Sequence, residues 1–169
     1  NYIERRHDIG IGRTRSEILF TPLIQPINLG SEFVGEGVRA NISGWGGLTE
    51  DPMGPFADDL HWITLTTVTN VKCKQVMHPN ERSRITDDNI CTYDGPHVGA
   101  CRGDSGSLLV ANGVVIGAVS WALPCAREFN VLVKQEQLNL MNFSGGTSEV
   151  YPRISSYRPW MMEVMSRHR

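Results

Sequence analysis

A stretch of ten residues, Cys101 to Val110, constrains this chain more than any other. It reads Cys-Arg-Gly-Asp-Ser-Gly-Ser-Leu-Leu-Val, so Ser105 stands among glycines, follows an acidic residue and precedes an apolar strand pattern. A β-carbon at Gly103 or Gly106 would obstruct the approach of backbone N–H groups to a reacting carbonyl, so the pattern indicates a nucleophilic hydroxyl on a rigid scaffold. A surface turn is the alternative, because Gly, Asp and Ser are the commonest turn residues.

The composition excludes several kinds of protein. The chain has 169 residues, which is enough for one domain with a buried core or slightly more. Its formal net charge of -2 offers no basic footprint for nucleic acid. No apolar run approaches the ~20 residues of a membrane span, and the N-terminus lacks the features of a signal peptide. We therefore expect neither nucleic acid nor membrane as a partner, and we expect a processed or truncated piece of a longer protein.

The four cysteines are Cys73, Cys91, Cys101 and Cys125, which permit three disulfide connectivities or a zinc site. Zinc ligands usually occur as close pairs such as Cys-x-x-Cys, and the sequence has no such pair. Two disulfides are therefore favoured, which indicates an oxidising compartment. We expect no metal and no cofactor.

The hydrophobic pattern predicts many short strands and few helices. The predicted strands are 8–12, 38–47, 61–68, 90–93 and 108–121. Asn112-Gly113 is a two-residue hairpin signal, and Trp45 is expected to be buried where its neighbouring glycines approach another strand. Residues 48–59 and 126–146 are predicted to be loops, with a short helix within 70–79 and an amphipathic helix over 157–165. Strands without βαβ alternation indicate an all-β barrel or sandwich.

Several motifs, in a fixed order and at characteristic separations, resemble one family. They are Gly44-Trp45-Gly46, Gly103-Asp104-Ser105-Gly106, Val119-Ser120-Trp121 and Val150-Tyr151-Pro152-Arg153-Ile154, followed by the closing helix. This order resembles the later two-thirds of the catalytic unit of trypsin- and chymotrypsin-like serine endopeptidases. The resemblance implies a chymotrypsin-like Greek-key β-barrel fold with a C-terminal α-helix. Residues 1–16 would be the last strand of an incomplete first barrel, 17–37 the strap between barrels, and 38–169 the complete second barrel.

The resemblance also assigns catalytic roles. Ser105 would be the nucleophile that forms an acyl-enzyme, and Asp8 would orient the histidine that removes the serine proton. The backbone N–H groups of Gly103 and Ser105 would form the oxyanion hole. Asp104 would make the activation ion pair with the amine that is freed when a zymogen is cleaved.

None of the five histidines lies in the Ala-His-Cys context that the family gives its general base. His7 adjoins Asp8, but successive strand residues point to opposite faces and would not form the pair. We therefore expect a missing N-terminal segment, as a partner of this chain, to supply the catalytic histidine. We also expect the 169 residues alone to be inactive, with Asp104 turned towards water and the loop of Gly103 relaxed.

The family pattern further implies the disulfides Cys73–Cys91 and Cys101–Cys125 and a substrate pocket. The pocket residues would be Gly99, Ala100, Arg102, Ser120, Trp121, Ala122 and Glu149. Gly99 stands where trypsin-like enzymes have aspartate, so a neutral floor favours large apolar or aromatic side chains. Glu149 either points its carboxylate into the substrate pocket or lies in an exposed loop. In the pocket, a basic side chain of the substrate would offset the cost of burying an unpaired carboxylate. Arg102, at the rim, would favour acidic groups or simply be solvated.

Three functions are compatible with these residues. The first is a secreted serine endopeptidase, made as a zymogen, which acts on polypeptide substrates and is open to proteinaceous inhibitors. The second is a truncated, catalytically inactive relative that acts as a binding or regulatory module. The third, another kind of serine hydrolase, is disfavoured because the Gly-x-Ser-x-Gly elbow needs a strand-to-helix turn, whereas Ser105 precedes a strand pattern.

Overall fold

Eight strands join into one sheet in the computed structural model, which describes residues 6–49, 51, 53–95, 98–122 and 148–167. The strands are β1 Asn28–Leu29, β2 Arg39–Gly44, β3 His61–Val68, β4 Asn89–Thr92, β5 Leu108–Ala111, β6 Val114–Ala118, β7 Trp121–Ala122 and β8 Glu149–Pro152. Their order in the sheet is β1-β6-β5-β2-β3-β4-β8-β7. All neighbouring pairs are antiparallel except β1 and β6.

The hairpin of β5 and β6 follows from its turn residues. Asn112 and Gly113 have φ angles of 49° and 74°, which a two-residue turn of the primed type requires and which these two residue types tolerate best. The turn continues the right-handed twist of the strands on either side. The predicted hairpin is confirmed, and it places the strand after Ser105 beside the segment that leads to Ser120.

The sheet encloses two clusters of buried side chains. The larger consists of Ala40, Ile42, Leu65, Ile90, Ala100, Leu109, Ala111, Ile116, Val119 and Tyr151. The smaller consists of Cys73, Met77, Ile85, Cys91, Trp121 and Val150. In β2 the buried Ala40 and Ile42 alternate with exposed residues, as a strand with one face in the core must.

Both helices that were predicted are present, with other bounds. The first is α1, Asn70–Val76. Thr69 caps its N-terminus, because the Lys72 amide donates to the Thr69 side chain at 3.1 Å. A 3₁₀ helix, Pro79–Arg84, follows it. The second is α2, Ile154–Arg167, which buries Ile154 and Met161. No helix of the described ranges is long and apolar enough to cross a membrane.

The predicted disulfide between Cys73 and Cys91 is confirmed, and it ties α1 to β4. Cys101 is also disulfide-bonded. Its predicted partner, Cys125, and the whole predicted loop 126–146 lie outside the described residues. The pairing of Cys101 with Cys125 therefore stays a prediction.

The strand predicted for residues 8–12 does not form. No residue from 6 to 16 belongs to a described strand, and the amide of Ile9 donates to the His7 carbonyl at 2.9 Å in a local turn. Alternation of apolar and small residues indicates which face a strand would bury, but a strand also needs a neighbour that pairs with its N–H and C=O groups. This segment has no such neighbour among the described residues. The division at residues 16 and 37 remains a prediction.

Residues 17–37, the predicted strap, are attached to the sheet through β1, which pairs with β6, and again near their end. The buried guanidinium of Arg153 donates to the Val34 carbonyl at 2.7 Å and lies 4.2 Å from the centre of the Phe33 ring. Burial lowers the pKa of Arg153. The nearby charges of Asp87 and Asp88 raise this pKa, but their effect is smaller than that of burial. The earlier part of the strap carries several exposed apolar side chains.

Two adjacent leucines test the core. Leu109 is 0% exposed and Leu108 is 44% exposed. Leu109→Ala should lower the free energy of unfolding by about 2–5 kcal/mol, because it leaves a cavity in the larger cluster. Leu108→Ala, the matched control, should change it by about 0.5 kcal/mol or less. Urea unfolding measures both, and equal losses in the two variants would contradict this account of the core.

Candidate active site

The loop before β5 presents Ser105 to solvent and turns its neighbour inward. The amide of Asp104 donates to the Cys101 carbonyl and the amide of Ser107 to the Asp104 carbonyl, each at 3.0 Å, so two consecutive turns surround the serine. The amide of Gly106 then donates to the Val119 carbonyl at 2.8 Å, which attaches the loop to the chain beyond β6. Ser105 is exposed whereas Asp104 is buried.

The carboxylate of Asp104 is held by backbone amides. Its Oδ1 accepts from Gly46 N–H at 2.8 Å, and its Oδ2 accepts from Cys101 N–H at 2.9 Å. The expectation that Asp104 would turn towards water is therefore wrong, because two amide donors replace the water that burial removes. Its role in an activation ion pair stays a prediction.

The glycines around Trp45 were predicted to allow the close approach of another strand, but in the structure they allow the approach of a side chain. A β-carbon at Gly44 or Gly46 would overlap with the carboxylate of Asp104, so these positions leave space for that side chain. Trp45 itself is 58% exposed, and the prediction that it is buried is wrong. The sequence shows that a backbone is approached closely at such glycines, but it does not show which group makes the approach.

Asp8 and Ser105 line the same cavity, which has a volume of about 670 Å³. Ser120 lies next to this cavity, where its hydroxyl donates to Asp8 Oδ2 at 2.7 Å. This hydrogen bond holds one carboxylate oxygen of Asp8 in place. The structure thus brings together the two residues that the family resemblance assigned to catalysis, and it adds Ser120 as the group that orients the acid.

His7 also lines this cavity but has a partner of its own. Its Nδ1 lies 3.1 Å from the Tyr157 hydroxyl, and the two rings meet edge to face. His7 has a left-handed φ of 55°, so the predicted strand alternation is not what separates it from Asp8. The two side chains are separated because each is bonded to a different residue, His7 to Tyr157 and Asp8 to Ser120.

The predicted oxyanion-hole amides are available as donors. Among the backbone hydrogen bonds of the described residues, neither the Gly103 nor the Ser105 amide takes part in one. Gly103 has a φ of 94°, which favours glycine, and a β-carbon there would lie 2.7 Å from the Phe56 ring. A developing oxyanion needs backbone N–H donors that have no other acceptor, so the role of these two amides in an oxyanion hole stays a prediction.

Glu149 lies in β8 and is 1% exposed, so the exposed-loop alternative for this residue is wrong. Its carboxyl group accepts hydrogen bonds from the Ala100 amide and from the Tyr151 hydroxyl. A β-carbon at Gly99 would overlap with this carboxyl group. Ala122 is the cross-strand neighbour of Glu149. Four of the predicted pocket residues, Glu149 itself among them, are therefore neighbours in the structure.

Burial raises the pKa of Glu149 from 4.5 to about 7. The hydrogen bond from Tyr151 lowers this pKa, and the charges of Asp104 and Asp94 raise it further. Burial and the neighbouring Glu149 also raise the pKa of Tyr151 well above its ordinary value, so Tyr151 stays a donor. The Tyr151 hydroxyl lies 3.0 Å from that of Thr92, which extends the buried polar network.

Arg102, another predicted pocket residue, contacts the loop that contains Gly54 and Phe56. Its side chain donates to the Gly54 carbonyl at 2.8 Å and lies over the Phe56 ring, 4.3 Å from its centre. Phe56 was missed because residues 48–59 have the composition of an exposed loop and no period that marks a functional side chain. Tyr151 was part of a motif, but a strand pattern does not say where its hydroxyl donates. Across the described residues no group of acidic, His or Cys side chains could hold a metal ion.

Comparison with known proteins identifies the family. The family model described as Trypsin matches residues 1–141, so the chain belongs to the trypsin family of serine proteases. Chymotrypsin-2 of Vespa crabro is 34% identical over 164 residues, which make up 96% of this chain and 64% of that protein. Kallikrein-12 of Homo sapiens is 32% identical over 161 residues, which make up 94% of this chain and 56% of that protein.

A solved structure supports the fold. Neuropsin, a serine protease expressed in the limbic system of mouse brain, matches with a TM-score of 0.70 and 25% identity over 89% of this chain and 58% of that one. The fold is therefore chymotrypsin-like, mostly β-sheet with a C-terminal helix, as predicted. The chain spans less than two-thirds of the length of these three proteins.

The raised pKa of Glu149 predicts how stability depends on pH. The folded chain keeps the proton up to about pH 7 and the unfolded chain only up to about 4.5. The stability from this group is therefore fully present below pH 4.5 and is lost as the pH rises through 7. Between pH 4 and 9 the free energy of unfolding should fall by roughly 3 kcal/mol more in the wild type than in Glu149→Gln. Parallel pH profiles in urea unfolding would refute the assignment.

Proposed function

We propose that this chain is the later part of a secreted serine endopeptidase that hydrolyses peptide bonds through an acyl-enzyme on Ser105. The observation that carries the proposal is the shared cavity of Asp8 and Ser105, with the Asp8 carboxylate held by Ser120. Membership of the trypsin family supports the same activity. The general base is a histidine from a segment outside these 169 residues.

The reaction follows from the positions of these groups. The Ser105 hydroxyl attacks the carbonyl carbon of the peptide bond while the histidine takes its proton, and Asp8 orients the imidazole and stabilises its positive charge. The Gly103 and Ser105 amides donate to the oxygen of the tetrahedral intermediate. The histidine then gives the proton to the leaving amine as the C–N bond breaks, which leaves the acyl group on the Ser105 oxygen. In the second half the histidine takes a proton from water, the water oxygen attacks the acyl carbon, and the proton passes to the Ser105 oxygen as the ester bond breaks.

The preceding segment packs against the strap and the cavity. Leu19, Phe20 and Leu23 are 76%, 62% and 95% exposed, and they follow one another closely in the strap. Contiguous exposed apolar side chains mark a surface that binds another part of a protein. We propose that the segment bound there also covers the cavity of Asp8 and supplies the histidine. It would also give residues 8–12 the neighbouring strand that they lack among the described residues.

Activation from a zymogen acts through Asp104. Its buried carboxylate has two amide partners, and a positive N-terminal amine beside it would compensate the charge that these neutral donors leave. Because Asp104 precedes Ser105, this ion pair would stabilise the turn that presents the nucleophile. Proteinaceous inhibitors would bind at the same cleft as the polypeptide substrate.

The activity test uses the complete protein, activated, beside residues 1–169 alone. The complete protein should hydrolyse a chromogenic peptide ester and be labelled by a serine-reactive phosphonate, and Ser105→Ala should abolish both. The 169-residue chain should be slower by on the order of a million-fold, because triad residues act as a unit. Turnover by the short chain that depends on Ser105 would contradict the missing histidine. An inert complete protein would instead favour the binding module.

The buried carboxyl group predicts the cleavage preference. Gly99 has no side chain, so the Glu149 carboxyl group can occupy the floor of the proposed pocket. This group is neutral below about pH 7, so below that pH the enzyme should cleave after large apolar or aromatic residues. Above pH 7 the ionised carboxylate should also accept lysine or arginine. Glu149→Gln should keep the aromatic preference and lose the basic one. A peptide library at pH 6 and pH 8.5 measures this, and strict cleavage after small residues such as alanine would rule it out.

A further inference from the structure

The loop of residues 46–57 is attached to the serine loop through Arg102. The amide of Gly47 donates to the Arg102 carbonyl at 2.6 Å, and the Arg102 guanidinium donates to the Gly54 carbonyl at 2.8 Å. The same guanidinium lies over the Phe56 ring, 4.3 Å from its centre, a geometry in which a cation is attracted to the ring face. Main chain and side chain of one arginine are thus both held by this loop.

The Phe56 ring also lies against Gly103. A β-carbon on Gly103 would be 2.7 Å from Cε1 and 3.2 Å from Cδ1 of that ring. Phe56 therefore contacts the residue that carries an oxyanion-hole amide and the residue before it. The ring is itself 51% exposed, so it does not serve as a core side chain.

The peptide bond between Arg102 and Gly103 connects these contacts to catalysis. None of the described peptide bonds is cis, and in a planar trans peptide the C=O and N–H bonds point in opposite directions. The Gly47 amide fixes the direction of the Arg102 carbonyl and so fixes that of the Gly103 N–H. A rotation of this one peptide unit would move the Gly103 N–H away from the reacting oxygen.

We infer that Phe56 is a positioning residue, which by stacking on Arg102 and covering Gly103 holds this peptide unit with its N–H directed into the oxyanion hole. The inference rests on the proposed function for its catalytic consequence, whereas the contacts themselves do not depend on it. Arg102 acts here through its neighbours rather than as a free charge at the rim of the pocket. Phe56 should therefore stabilise the transition state and not the bound substrate, because only in the transition state does the substrate oxygen carry the charge that the N–H stabilises.

The test compares Phe56→Ala with Met53→Ala in the complete activated protein, normalised by active-site titration. Met53 is in the same loop and 91% exposed. Phe56→Ala should lower kcat about tenfold to a hundredfold with KM changed less than about threefold, which is below the cost of deleting a donor outright. The affinity for a peptide boronate, whose tetrahedral adduct places an oxygen in the hole, should fall by the same factor. The affinity for the matching peptide amide, which forms no adduct, should not change.

Two further variants identify the cause. Phe56→Tyr keeps the ring face and should retain wild-type kcat, and Arg102→Gln should lower kcat as Phe56→Ala does. The double variant should be no slower than the slower single one, because both changes release the same peptide unit. Equal effects of Phe56→Ala and Met53→Ala, or unchanged boronate affinity in Phe56→Ala, would overturn the inference.

Amide hydrogen exchange of Gly47 tests the contact without activity. Its N–H donates to the Arg102 carbonyl, so it should exchange at least about tenfold faster in Phe56→Ala and at the wild-type rate in Met53→Ala. If the wild type hydrolyses nothing, the proposed function fails, and this exchange measurement still decides the inference. Unchanged protection of Gly47 in Phe56→Ala would then overturn it as well.

Discussion

The buried carboxylate of Asp104 is the interaction on which the serine loop depends. Removing a carboxylate from water costs several kcal/mol unless donors replace the water, and here the Gly46 and Cys101 amides do so. These amides lie 58 and 3 residues away in sequence, so satisfying one side chain joins the end of β2 to the turn before β5. Because Asp104 is turned inward, the next residue, Ser105, is presented outward. The absence of a side chain at Gly46 is part of the same arrangement.

Glu149 meets the same physical problem in a different way. It has one amide and one hydroxyl donor, and its environment adds further negative charge, so burial raises its pKa to about 7. A carboxyl group that holds its proton near neutral pH is less costly to bury than a carboxylate. The buried carboxyl group of Glu149 therefore changes its charge near pH 7. The position of this carboxyl group is set by the Ala100 amide and the Tyr151 hydroxyl, which hold it against Gly99.

Local patterns predicted the parts of this structure that local chemistry determines. The Asn112-Gly113 turn specifies its hairpin, and the β-branched run from His61 to Val68 forms β3 with the predicted bounds. Ordered motifs gave the family and the fold. The errors concern partners: the pattern of residues 8–12 does not reveal a missing neighbour, and the glycines beside Trp45 do not reveal that a carboxylate approaches them. The packing of Phe56 was beyond prediction for the same reason, since it depends on a loop that no periodicity describes.

The two residues that we propose as catalytic, Ser105 and Asp8, differ in how firmly the chain itself positions them. Ser105 is flanked by residues with several backbone and side-chain bonds to the sheet, whereas Asp8 lies in a segment without strand pairing and is held through Ser120. Catalysis requires positions accurate to roughly 0.5 Å, and a single hydrogen bond to an exposed segment does not supply that accuracy. In the proposed mechanism, a segment that packs over the cavity must therefore fix Asp8 as well as bring the histidine. Its binding would then complete the proposed base and its orienting acid in one step, whereas the loop of Gly103 and Ser105 is already held by Asp104.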